Sequence, residues 1–237
     1  MIATSLLTSG SSQTDASSYA TASVSPGANR LVLVFVVSFL SGAATLPTLG
    51  GASMTWVKVA DRTFSSNNLR ITVFRGLSTA PGSGALTIDF GGTSQSNCGW
   101  AVVEFSGVDT GGDDGERAVV QSAVANAGSV NSLTVALAAF ADAVNNVAVG
   151  VHCKVNSGET LAVGSGFTEL VEVTQTEAGA SWSAQVEWKT GEDTGVDASH
   201  SGTARNYGGV ALELQAAVSG RQTIARGVGR GVGRGTR

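Results

Sequence analysis

Two glutamates, Glu104 and Glu213, come closest in this sequence to a catalytic pattern. They lie in the similar strand-like segments WAVVEF and YGGVALEL, and a pair of carboxylates is the machinery of glycoside hydrolysis. The two residues occupy equivalent places near the ends of their segments, however, and this symmetry favours a structural role. We therefore expect neither glutamate to be catalytic.

The two histidines form no catalytic or metal-binding pattern. His152 lies within the strand-like segment 147–155, and His200 lies in a segment that resembles a loop. Zinc sites bring His and Cys ligands together at short characteristic spacings, and the sequence has neither an HExxH motif nor a Cys–His cluster. We predict that His152 is an ordinary strand side chain and that the protein is not an enzyme and binds no metal or cofactor.

Two glycine-rich acidic segments, 111–117 and 191–200, are predicted to be surface loops. Their carboxylates are Asp113, Asp114 and Glu116 in the first and Glu192, Asp193 and Asp197 in the second. Such oxygen ligands suit calcium, but the spacing does not match the EF-hand loop. We expect both segments to be solvated loops, the first of them at the midpoint of the chain.

The cysteines and tryptophans also favour packing over chemistry. Cys98 and Cys153 are far apart and in no CxxC pattern, so we expect buried free thiols, although the sequence does not exclude a disulfide. The four tryptophans could form a platform on which sugars stack, but most lie in alternating or apolar strands, where core packing is expected. These residues are Trp56, Trp100, Trp182 and Trp188.

The segment that organises the chain is the apolar run 29–40, NRLVLVFVVSFL. Its Val and Phe content, its length and the flanking turn residues favour a strand buried on both faces rather than a helix. The same pattern returns at 145–155, and other strand-like segments also recur in the same order. The sequence therefore predicts two similar halves, each with a central strand.

Composition and order together predict an all-β, jelly-roll-like antiparallel sandwich. The apolar fraction of 42% and the net charge of only −4 are those of a folded chain. We place the sandwich at 1–217, with halves at roughly 1–110 and 118–217, followed by an arm at 218–237. Two arrangements fit: two small sandwiches side by side, or halves that interleave their strands in one jelly roll. We expect the interleaved form.

The arm differs from the rest of the chain. The segment 221–237, RQTIARGVGRGVGRGTR, carries five arginines and no acidic residue, and its many glycines disfavour a helix. Residues 1–217 hold the other 9 of the 14 basic side chains against all 18 acidic ones, a net charge of −9. The arm could be a disordered solubilising tail, dock on the acidic body of a neighbouring copy or bind phosphates. Its arginines are Arg221, Arg226, Arg230, Arg234 and Arg237.

No targeting segment or membrane span is predicted. The first fifteen residues lack a basic region and a long apolar core, so they do not form a signal peptide. The run 31–40 is about half as long as the ~20 residues that a membrane-spanning helix needs. We expect a protein that is made in the cytoplasm and does not insert into a membrane.

Four segments resemble β-sandwich proteins of tailed-phage and prophage structural gene sets. They are DASSYATASVSPGANRLVLVFV at 15–36, GGASMTWVKV at 50–59, LRITVFRG at 69–76 and WAVVEFSGVD at 100–109. The resemblance covers roughly 14–215 and excludes the arm. It implies a virion structural protein, such as a capsid decoration (cement) protein, a head fibre or a tail accessory protein. Its expected partners are copies of itself and other virion proteins. Nucleic acid is not an expected partner, and an extracellular carbohydrate-binding module is the alternative.

Overall fold

A computed structural model describes residues 1–217 and shows an all-β protein of sixteen strands. A single 3-10 turn, Glu116–Ala118, is the one helical element within this range. The strands of the first half are β1 Ala3–Ser12, β2 Ser18–Val24, β3 Arg30–Phe39, β4 Thr48–Gly50, β5 Val57–Phe64, β6 Leu69–Ser78, β7 Gly84–Asp89 and β8 Asn97–Ser106. Those of the second half are β9 Val119–Val130, β10 Ser132–Ala136, β11 Val147–Val155, β12 Ala162–Val163, β13 Thr168–Gln175, β14 Trp182–Thr190, β15 Gly195–Ser199 and β16 Arg205–Leu214.

Each half contains one five-stranded and one three-stranded antiparallel sheet, with the same strand order in both halves. In the first half the orders are β1-β8-β3-β6-β5 and β2-β7-β4. In the second half they are β9-β16-β11-β14-β13 and β10-β15-β12, so each strand matches the strand eight places earlier. We call the five-stranded sheets the inner sheets and the three-stranded sheets the outer sheets.

The four sheets stack in layers, with the two inner sheets in the middle. The largest apolar cluster joins the facing surfaces of the inner sheets, among them Leu33 and Phe35 of β3 and Val149 and Val151 of β11. Smaller clusters join each inner sheet to the outer sheet of its own half. Because successive side chains of a strand point to opposite faces, β3 contributes to two cores, which explains its unbroken apolar run.

The fold class is confirmed, since the protein is an all-β antiparallel sandwich of two similar halves. The expected interleaving of the halves was wrong, because each sheet takes all its strands from one half. The halves do not need to exchange strands, since each has its own outer sheet to cover one face of its inner sheet. The remaining apolar face of each inner sheet is buried against the other half.

The two halves are related by an approximate two-fold rotation. Edge strand β1 packs beside β13, the counterpart of β5, and β5 packs beside β9, the counterpart of β1. The segments that follow β8 and β16 also meet, because the Ala217 amide donates to the Gly107 carbonyl (2.8 Å) and the Asp109 amide to the Gln215 carbonyl (2.9 Å). The interface within this chain therefore has the form of a symmetric dimer interface.

Two equivalent glycines allow aromatic rings of one half to press on the backbone of the other. A Cβ at Gly99 of β8 would collide with the Trp182 ring of the second half, and a Cβ at Gly208 of β16 would collide with the Phe64 ring of the first. Both rings are buried. The close approach of the inner sheets thus depends on glycine at both positions.

Candidate functional site

The glutamates suggested by the sequence each bind a chain segment at the end of an interior strand of an inner sheet. Glu104 of β8 lies opposite Val32 of β3, and its carboxylate accepts from the Gly27 amide (2.5 Å) and from Arg30 Nη1 (2.7 Å). Its side chain is only 6% exposed, whereas that of Arg30 is 46% exposed. The carboxylate therefore holds the turn that leads into the central strand of the first half.

In the second half the Glu213 carboxylate also accepts hydrogen bonds near the start of the central strand, but from different partners. It lies opposite Ala148 of β11, and it accepts from Asn146 Nδ2 (2.5 Å) and Gln121 Nε2 (2.6 Å). The Asn146 side chain also accepts from the Ala216 amide at 3.0 Å. The two carboxylates occupy equivalent positions in separate sheets, and the bonds they make support the structural role.

We expect Glu104→Ala to destabilise the protein by about 1–3 kcal/mol, because the Gly27 amide and the Arg30 guanidinium lose a largely buried acceptor. The change is measured as the free energy of unfolding in urea. Arg30→Gln is the matched control and should cost less than about 1 kcal/mol, since its half-exposed end returns to water. Equal losses in both variants would contradict this assignment.

A buried ionisable pair, which the sequence analysis did not identify, lies inside the second half. His152 of β11 and Glu187 of β14 are both fully buried, and Nδ1 of His152 lies 3.4 Å from Oε1 of Glu187. The geometry between them is not that of a hydrogen bond. The other carboxylate oxygen, Oε2, accepts from the Gly164 amide at 3.2 Å. Such pairs are retained in proteins only where neighbouring groups compensate their loss of hydration.

Neighbouring polar side chains extend this pair into a larger cluster that reaches the surface at Glu169. Gln185 of β14 donates to the Leu161 carbonyl (3.2 Å) and to Glu169 of β13 (2.8 Å). Further along β11, Lys154 donates to the Asn156 carbonyl (2.6 Å), and burial lowers its pKa. We call His152, Glu187, Gln185, Glu169 and Lys154 the polar cluster.

The polar cluster distinguishes the second half from the first. His152 stands where the first half has Val36, and Glu187 stands where it has Phe74. Both counterparts belong to the apolar core between the first inner and outer sheets. Glycine makes room here for the outer sheet as well as for Glu187, since a Cβ at Gly150 would lie 2.5 Å from Val196 Cγ1 of β15 and 3.1 Å from Glu187 Oε1. The segment 181–189, SWSAQVEWK, alternates polar and apolar residues, and this alternation is the sequence signal that could have revealed the polar cluster.

The acidic segments serve as turns and partly as a strand. Asp193 pairs with Lys189 (2.6 Å) and accepts from the Gly195 amide (2.9 Å), whereas Glu192 accepts from the Phe140 amide (2.9 Å). The expected loop 191–200 was partly wrong, because Gly195–Ser199 forms β15 with Val196 and Ala198 buried. In residues 1–217 no group of three or more His, Cys, Asp or Glu is placed to share a metal ion.

The second histidine and the cysteines are also buried. His200 Nδ1 lies 2.5 Å from the Tyr207 hydroxyl, and its Nε2 lies 2.9 Å from the Thr203 carbonyl, so both ring nitrogens have partners. Cys98 and Cys153 are free and fully buried, and burial raises the pKa of both thiols. Free thiols are thus confirmed, and raised pKa values make them poor nucleophiles.

The tryptophans do not form an exposed aromatic strip. Trp100 and Trp182 are buried, and Trp56 and Trp188 are half-buried. The Trp182 indole donates to Asn97 Oδ1 at 2.8 Å, and the Trp56 indole donates to the Gly51 carbonyl at 3.1 Å. Core packing, as expected from the sequence, accounts for the two buried rings.

Two surface clefts have the volume of a ligand site. One, of about 390 Å³, is lined by Met1, Asp142, Asn145 and Gln215 among others. The other, of about 420 Å³, is lined by residues that include Thr110, Asp113 and Asp114. Neither cleft contains a histidine or a cysteine. Within the described range no helix is long and apolar enough to span a bilayer.

The arm arginines Arg221, Arg226, Arg230, Arg234 and Arg237 lie outside the described residues. The last described residue, Ala217, lies beside Gly107, shortly before the acidic segment 111–117 that links the halves. Comparison of the chain with protein-family models, curated proteins and solved structures found no match.

Proposed function

We propose that this chain is a non-enzymatic structural protein of a tailed-phage particle, either a capsid decoration (cement) protein or another head or tail accessory. The observation that carries the proposal is the use of Glu104 and Glu213, which bind backbone and side-chain groups at the ends of interior strands instead of facing a cleft. The ionisable residues thereby stabilise the sandwich. The resemblance of the four strand-and-turn segments to phage structural proteins supplies the virion context.

Charge supports a role for the arm as an anchor. Residues 1–217 carry −9 and the arm carries +5. Opposite charges on separate parts of one chain favour contacts between copies or with other acidic proteins of a particle. The arm follows Ala217 in the sequence and carries its five arginines within 221–237. We propose that these arginines attach the sandwich to the particle through protein–protein contacts.

The carbohydrate-binding alternative is less well supported. Sugar recognition by stacking requires aromatic faces that are open to solvent. All four tryptophans lie within the described residues, and each is buried or half-buried. Specific binding on a glycan array would favour this alternative over the virion role.

We expect replacement of all five arm arginines by glutamine to reduce incorporation into particles by about tenfold or more, equivalent to about 1.4 kcal/mol of binding free energy. Replacement by lysine is the matched control, because it preserves the charge but not the planar donor group. The amount of the chain per purified particle is measured by quantitative mass spectrometry. Unchanged incorporation of the glutamine variant would rule out the arm as an anchor.

A further inference from the structure

The edge strands of the two inner sheets differ in charge. β1 and β9 carry none, and the uncharged stretches that include them run from 1 to 14 and from 118 to 141. By contrast, the edge strand β5 carries Lys58, Asp61 and Arg62, and the edge strand β13 carries Glu169 and Glu172. Each half therefore has one uncharged and one charged edge strand at equivalent positions, because β1 and β9 are counterparts and so are β5 and β13.

Uncharged edges of this length are unusual in a protein that remains monomeric. Edge strands expose unpaired backbone groups, and natural proteins usually protect them with charged residues, proline or short length. β1 has 10 residues and β9 has 12, and neither contains proline. Leu6 of β1 is 39% exposed and Val124 of β9 is 40% exposed. These two strands therefore lack the common protection against pairing with another chain.

The four edges lie in pairs on two opposite sides of the molecule. The first side has β1 next to β13, and the second side has β9 next to β5. Each side thus combines one uncharged edge with one charged edge. The charged edge of the first side is acidic, whereas that of the second side contains Lys58 and Arg62 and one acidic residue.

We propose that the first side binds the second side of another copy of this chain, so that β1 pairs with β9 of the neighbour and β13 lies against its β5. In this arrangement an inner sheet of one copy continues into an inner sheet of the next. The uncharged edges form backbone hydrogen bonds, as in strand addition. The acidic β13 lies against the strand that carries Lys58 and Arg62, and this charge complementarity selects the partner.

Contacts between identical sides are disfavoured by the same charges. Pairing the first side with itself would place Glu169 and Glu172 of β13 near the same residues of the neighbour. Like charges at such a contact are repulsive. Association of unlike sides leaves one free side at each end, so it produces a closed ring or an open filament of copies. This surface is inferred from the sandwich alone and does not depend on the virion role.

The first test introduces a charge at each uncharged edge of the full-length protein. We expect the wild type to self-associate as its concentration rises in sedimentation-velocity experiments, and Leu6→Lys and Val124→Lys to weaken association by about tenfold or more. Val144→Lys is the matched control and should associate like the wild type, because Val144 lies in a loop and is 80% exposed. A monomeric wild type, or edge variants that associate normally, would overturn the proposal.

A charge exchange tests the pairing of β13 with β5 and does not change the uncharged strands. Lys58→Glu and Glu169→Lys should each weaken association, and the double variant should recover most of it. Both side chains are exposed, but Lys58 also pairs with Asp61 and Glu169 also accepts from Gln185, so each variant is checked for folding. Absence of recovery, with all variants folded by circular dichroism, would contradict the proposed pairing.

If replacing the five arm arginines abolishes association while edge variants associate normally, the arm joins the copies. That result overturns this inference but is compatible with the proposed function.

Discussion

Replacing Trp182 by alanine should destabilise the whole sandwich by about 3–5 kcal/mol, the range found when large buried aromatic side chains are removed. Trp182 is fully buried between the inner sheets, and its ring lies on the Gly99 backbone of the other half. Its indole N–H donates to Asn97 Oδ1 at 2.8 Å. The Asn97 amide in turn donates to the Ala180 carbonyl at 3.0 Å. The substitution therefore removes packing and a hydrogen bond that join the two halves.

Urea unfolding followed by circular dichroism measures this loss. Trp182→Phe is the matched control, because it retains most of the ring but not the donor, and it should cost about 1–2 kcal/mol. Val144→Ala should lie within about 0.5 kcal/mol of the wild type, since Val144 is largely exposed. The main core is shared by both halves, so we expect one cooperative transition. Separate transitions for the two halves would contradict the shared core.

The second large effect is expected from the buried pair of the polar cluster. Glu187→Ala should cost about 3 kcal/mol or more, because it removes the carboxylate that lies 3.4 Å from the buried His152 ring and leaves the buried Gly164 amide without its acceptor. The double variant His152→Val/Glu187→Leu should be much closer to the wild type. It restores the apolar character that Val36 and Phe74 give to the first half.

A double-mutant cycle in urea decides whether the two side chains act as a pair. We expect an interaction energy of about 1–3 kcal/mol between His152 and Glu187. Glu116→Ala is the control for removal of a carboxylate, because Glu116 is exposed, and its effect should stay within about 0.5 kcal/mol. If the loss in the double variant His152→Val/Glu187→Ala equals the sum of the losses in the two single variants, the pair does not interact.

Local patterns predicted the central strands and the duplication. The run 31–40 corresponds to β3, and its repeat at 147–155 corresponds to β11, because strands buried on both faces have apolar residues at every position. The equivalence of Glu104 and Glu213 also agrees with the matched sheet orders. These features depend on short-range spacing, which the sequence displays directly.

The association of the sheets could not be read from these patterns. The neighbouring strands Thr48–Gly50 and Val57–Phe64 belong to different sheets, since β4 pairs with β7 and β5 with β6. Alternation shows which residues share a face but does not show which sheet lies against that face. For the same reason the sequence could not distinguish stacked halves from interleaved ones.

The polar cluster was missed because its members lie on three different strands. His152 and Lys154 are on β11, Gln185 and Glu187 are on β14, and Glu169 is on β13. Each polar residue alone is consistent with an exposed face of a strand. The outer sheet covers this face and buries all of them except Glu169, which is exposed, and the acid-rich segment that contains β15 resembled a loop. Burial of the cluster is therefore a consequence of tertiary structure.

The central claim, that this chain is a structural component of a tailed-phage particle, is tested most directly by its abundance in purified particles. Particles are isolated on a density gradient from a host that produces the chain, and quantitative mass spectrometry compares the chain with the major capsid protein. We predict a fixed ratio between the two that persists after washing at moderate salt. Absence of the chain from intact particles, with the chain recovered in the free protein fraction, would contradict the claim.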